Sequence, residues 1–140
     1  MKTFVKLCGL TSAEAVALVP EGGAAGFLVG VPGSPRNLLP EAIPALIDAL
    51  PKDTEAWGVV HHPSSALVHQ MFDDVGVDRL QVYGAVPGDL EFLEIHHMVP
   101  SLALPRPGSG GSAPAVPPAE DYARLHLDAI DTPVADGSPI

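Results

Sequence analysis

Short apolar runs, partly β-branched, alternate along this chain with stretches in which apolar residues recur at helical spacing. Residues 3–8, Thr-Phe-Val-Lys-Leu-Cys, read as a buried strand that turns at Gly9. Ser12 to Val19 carries Ala, Val and Leu on one helical face. Thr11 or Ser12 can cap this helix, Glu14 lies in its first turn, where a helix N-terminus favours negative charge, and Pro20 with Gly22-Gly23 stops it. Residues 24–31 form a second strand, and Pro32-Gly33-Ser34-Pro35 is a loop signal leading to Arg36. The pattern then predicts a helix over about Pro40–Leu50, a strand at Trp57–Val60, a helix at Ser64–Val75, a strand at Arg79–Tyr83 and a helix at Gly88–His96. A fifth strand follows at Met98–Leu104 and a sixth at Leu125–Ile130.

Between those last two strands, Pro105–Pro118 is rich in Pro, Gly, Ser and Ala and too poor in large apolar residues to pack, so it replaces or distorts one helix. Glu120–Tyr122 keeps at most a turn of helix. Strands separated by helices imply parallel pairing through right-handed crossovers, in either part of a barrel or an open sheet. No longer repeat suggests a solenoid. At 140 residues the chain forms one domain, 1–140, with a core of its own.

Composition narrows the partners. Hydrophobic residues make up 46% of the chain and charged residues 17%, which is globular, while 16 prolines and 14 glycines imply substantial loops. A formal charge of −10 leaves no basic face for phosphodiesters, which argues against nucleic acid and anionic membrane surfaces and for a small molecule or a protein. The single cysteine excludes an internal disulfide, and the start Met-Lys-Thr-Phe-Val-Lys shows neither a signal peptide nor an 18-residue apolar span; a cytoplasmic location is the expectation.

In parallel βα folds, chemistry gathers at the C-terminal ends of the strands, where loops and helix N-termini converge. Those ends carry Cys8, Arg36 in the loop after the second strand, His61 and His62, Tyr83, and Asp128. A cysteine there can work as a thiolate base, though a lone cysteine is more commonly a small buried apolar residue. An aspartate partly enclosed at a strand mouth can donate a proton, or simply cap a turn. Arg36 can clamp a carboxylate or phosphate with two parallel hydrogen bonds, or stand solvated in its loop. The pairs His61-His62 and His96-His97 invite a metal reading, yet adjacent residues of a strand point to opposite faces; no metal site is expected. His69 and His126 read as structural, and the acids Asp73-Asp74 and Asp89–Glu94 as solvated. No dinucleotide fingerprint, P-loop or nucleophile elbow is present.

Taken in order and spacing, Phe4–Thr11 (FVKLCGLT), Gly26–Arg36 (GFLVGVPGSPR), Trp57–His62 (WGVVHH), Leu80–Gly84 (LQVYG) and Leu125–Asp128 (LHLD) resemble phosphoribosylanthranilate isomerase. The resemblance implies an α/β fold, an incomplete TIM-type (βα) barrel of about six parallel strands with flanking helices. It also implies an Amadori rearrangement of an aldose amine to a ketose amine in tryptophan biosynthesis, on a small sugar phosphate and without cofactor or metal. By matching motif, Cys8 would be the general base and Asp128 the general acid. Arg36 and Gln81 would hold substrate, with Tyr83 beside them where the family has histidine. His62 stands where the family usually has asparagine, and the usual fifth-strand lysine is absent from Pro100–Pro105. No counterpart follows of the two strands whose loops hold the phosphate in that family, so weaker substrate binding is expected, and the open sheet edges call for a second copy or a partner to cover them. A noncatalytic binding or interaction module derived from the barrel is the alternative function.

Overall fold

The computed structural model describes residues 3–105 and 126–130. Six strands form one parallel sheet: β1 (Lys6–Cys8), β2 (Ala24–Val29), β4 (Glu55–His61), β5 (Arg79–Tyr83), β6 (Met98–Pro105) and β7 (His126–Ile130), paired in that order. A two-residue strand, β3 (Asn37–Leu38), pairs with β2 off this path. The pattern did not predict it. It forms because the Asn37 side chain accepts the Val31 N–H at 2.8 Å and draws the loop back along β2.

The helices lie where the periodicity put them and are shorter. In α1 (Ala13–Val16), Ser12 is the cap, its Oγ accepting the Ala15 N–H at 3.2 Å. A 3₁₀ turn at Pro40–Ala42 leads into α2 (Ile43–Ile47). Ser64 caps α3 (Ser65–His69), which widens into a π-helical turn over Gln70–Val75, where the Met71 carbonyl accepts from both Gly76 and Val77. The fourth helix, α4 (Phe92–His96), begins later than expected: Asp89 takes the Ser65 hydroxyl, and the first helical turn is set instead by Glu94 accepting the Glu91 N–H at 3.1 Å. The Pro-rich stretch from 106 and the turn at 120–122 lie outside the described residues.

Every residue of β2 is buried, as a parallel strand covered on both faces requires. One face packs on the helices: Val16, Phe27, Ile43, Val60, Val68, Met71, Leu80, Val82 and Met98 form a continuous core. Each such side chain contributes roughly 1.5–3 kcal/mol when fully buried. The other face carries smaller clusters, Ala24 with Trp57 and Val99, and Leu28 with Val59 and Tyr83. No helix among the described residues is long and apolar enough to cross a membrane.

Candidate active site

The strand ends climb steadily across the sheet. Cys8 is in register with Gly26, Gly26 with Trp57, and Trp57 with Arg79. Along that row β4 and β5 run on four residues further, to His61 and Tyr83. Tyr83 is in register with Ser101 and Ser101 with His126, and Asp128 lies two residues beyond. Asp128 therefore stands six residues past the row of Cys8 after five strand steps, close to the one residue per strand at which an eight-stranded barrel of shear 8 staggers. Such a stagger puts the ends of β1 and β7 at one level of a tilted, curved sheet. In a flat sheet the same two strands would stand roughly 24 Å apart, five spacings of about 4.8 Å.

At the first of these ends the backbone is cut to fit its neighbours. Cys8 is exposed, not a buried apolar residue, and a Cβ at Gly26 would come within 3.1 Å of its Sγ, so glycine leaves room for the thiol. Gly9 has φ +76°, a left-handed conformation, and a Cβ there would meet the Arg36 Cδ at 2.8 Å and a terminal guanidinium nitrogen at 2.9 Å. Arg36 thus lies against the residue next to Cys8. Its loop is fixed from within: the Arg36 N–H donates to the buried Ser34 Oγ at 3.2 Å, Asn37 N–H to the Ser34 carbonyl at 3.2 Å, and Ser34 N–H to the Val31 carbonyl at 2.9 Å. The structure thus seats Arg36 against the residue that follows Cys8.

Further along the rim, Gln81 and Tyr83 are buried on the same face of β5, and the Gln81 amide donates to the Tyr83 hydroxyl at 3.1 Å. His61 ends β4 beside Tyr83. The alternation argument does not hold for the His61-His62 pair: His62 has left the strand with φ 42°, and the two rings meet edge to face at 4.3 Å. The sequence places His62 at a strand end but does not reveal that its ring lies over the glycine at 84. Among the described residues no group of three or more His, Cys, Asp or Glu side chains could hold a metal ion.

At the opposite, N-terminal end of this face, Trp57 Nε1 donates to Glu55 Oε2 at 2.7 Å, Arg79 pairs with the same oxygen at 3.1 Å, and Lys6 Nζ stands 5.4 Å from the indole ring centre. Away from it, the Asp89 carboxyl is held below its ordinary value, chiefly by the Ser65 hydroxyl and then by its own backbone N–H; desolvation opposes this, and the nearby His69 adds the weakest lowering. His69 itself pairs with Glu94 at 2.9 Å.

No family model matches the chain. Curated proteins do. It is 30% identical to the N-(5'-phosphoribosyl)anthranilate isomerase of Paramagnetospirillum magneticum over 106 residues, 74% of this chain and 49% of that protein. With the enzyme of the same name from Streptococcus pneumoniae it shares 37% identity over 90 residues, 63% of this chain and 44% of the relative. The chain spans about half the length of the curated relatives it matches. Among solved structures it resembles TrpF from Jonesia denitrificans, with a TM-score of 0.64 and 26% identity, covering 91% of this chain and 62% of the other. The phosphoribosyl anthranilate isomerase from Thermus thermophilus gives a TM-score of 0.60 and 28% identity over the same shares.

Proposed function

The chain belongs to the phosphoribosylanthranilate isomerase family, and from that premise we propose that its rim performs an Amadori rearrangement, converting an aldose amine carrying a sugar phosphate into the ketose amine. The observation that supports this reading is the stagger, which levels the ends of β1 and β7, the strands that carry Cys8 and Asp128. Asp128 protonates the ring oxygen and opens the sugar. The resulting Schiff base acidifies the neighbouring C–H, and the Cys8 thiolate takes that proton. Arg36, laid against Gly9, holds an anionic group of the substrate by two parallel hydrogen bonds, and Gln81 with Tyr83 forms the wall behind it. Each proton transfer contributes on the order of 10²–10⁴-fold. The chemistry needs no redox step.

Among the described residues, β1 pairs only with β2 and β7 only with β6. A second copy or a partner seated on these edges would keep solvent from the substrate and satisfy their backbone groups.

Fluorescence-monitored turnover of freshly made phosphoribosylanthranilate tests the assignment. Wild type turns over, and Cys8→Ala and Asp128→Asn each fall by at least about 10²-fold. Wild type at the buffer rate, or variants that match it, removes the reading.

A further inference from the structure

Gly26 makes room for two side chains of β1, not one. A Cβ there would stand 3.1 Å from Cys8 Sγ and 3.2 Å from Lys6 Cε, so the thiol and the last carbon of the lysine stem come over the same point of β2. Lys6 and Cys8 are two residues apart in one strand and therefore share its face. The ammonium, one bond beyond Cε, stands 5.4 Å from the centre of the Trp57 ring, whose face attracts a cation. That ring is a firm seat: Trp57 is buried, and its indole N–H is fixed on Glu55 Oε2 at 2.7 Å.

The carboxylate in register with Lys6 is engaged elsewhere. Lys6 pairs with Ala24 and Ala24 with Glu55, but Glu55 Oε2 takes Trp57 Nε1 and Arg79 Nε. Lys6 makes no ion pair among the described residues. The remaining cation near this strand, Arg36, lies against Gly9, past the strand's end. In a chain of formal charge −10, a lysine laid beside the one thiol thus keeps its positive charge unmatched by a carboxylate.

We propose that Lys6 is a positioning residue for the reaction at Cys8, its ammonium supplying the positive charge against which the sulfur carries negative charge as the base. The proposal rests on the isomerase reading and deepens it. In the proton transfer the thiolate gives its lone pair to the proton and becomes neutral, while the C–H electron pair moves toward the Schiff base to form the enamine. Lys6 stays charged throughout and exchanges no proton.

The rate at which iodoacetamide alkylates Cys8 in the full chain at neutral pH, followed by mass, tests this without turnover, because the thiolate is the species that reacts. Lys6→Met keeps a stem to lie on Trp57 and withdraws the charge; Lys6→Arg keeps the charge. Lys6→Met should label about 3- to 10-fold more slowly than wild type, the effect of a unit charge several ångströms away in a partly exposed site, with Lys6→Arg close to wild type. The gap should narrow in about 1 M salt, where screening acts within about 3 Å, and vanish in urea. In turnover of phosphoribosylanthranilate, kcat/KM should fall in the same order. Equal labelling of wild type and Lys6→Met, labelling of Lys6→Arg as slow as Lys6→Met, or a gap that persists in urea overturns the proposal. Absence of turnover in wild type would instead defeat the isomerase reading, and the labelling rates would still decide whether Lys6 acts on Cys8.

Discussion

The two faces of the sheet are built by different rules. Toward the helices, alternate residues are large and apolar, and Phe27, Met71, Leu80 and Met98 are fully buried in one core. On the face that would line the barrel, the same strands present Lys6, Cys8, Gly26, Trp57, Gln81, Tyr83 and Ser101. Neighbours in sequence therefore do different work: Phe27 belongs to the helix-covered core, whereas Leu28 packs with Val59 and Tyr83 under the rim. One face secures the fold. On the other, glycines at 26 and 9 leave room for Cys8 and Arg36.

The largest test of that division is Phe27→Ala, which should cost about 3–5 kcal/mol in denaturant unfolding with KM unchanged; a large change in KM would show that the two faces are not separable. Gly9→Ala comes next. It places a Cβ in a left-handed conformation, at about 1–2 kcal/mol, and drives Arg36 off its seat, so stability should fall and KM rise together. A smaller loss, about 1 kcal/mol, is expected for Gln81→Leu, which removes the donor to the Tyr83 hydroxyl; unfolding that matches wild type would mean this bond is idle.

The smallest effect lies off both faces, at Asp89. Its folded value is below the ordinary 3.8, so its contribution to stability is present above that pH and is lost as pH falls through the lower folded value. Ser65→Ala removes the main cause, and carboxylate NMR titration should find Asp89 closer to 3.8; an unmoved titration would assign the shift to the backbone hydrogen bond instead.

Most strands were legible because a buried parallel strand must be apolar and end at a turn: Arg79–Tyr83 is observed as expected. β4 runs longer at both ends than its apolar stretch, since Glu55 is held at its start by Trp57 and Arg79. β3 and the π-helical turn left no pattern, because each depends on particular hydrogen bonds, from Val31 to Asn37 and to the Met71 carbonyl. Cys8 and Arg36 could be nominated because they end strands or follow them. That Arg36 lies against the residue after Cys8 could not, since it depends on Gly9 making room. The placement of the His62 ring was hidden for a different reason: two adjacent histidines read as strand alternation, and only the left-handed turn at the second one takes its ring over Gly84.

Cys8 is the chain's one cysteine, so its chemistry can be addressed without mutation. Iodoacetamide labelling followed by mass, with turnover of phosphoribosylanthranilate measured on the same samples, tests the proposed base directly. Turnover by the unlabelled protein that declines in step with the fraction alkylated is the predicted result. An unlabelled protein that turns nothing over, or a fully alkylated one at the undiminished rate, would contradict it.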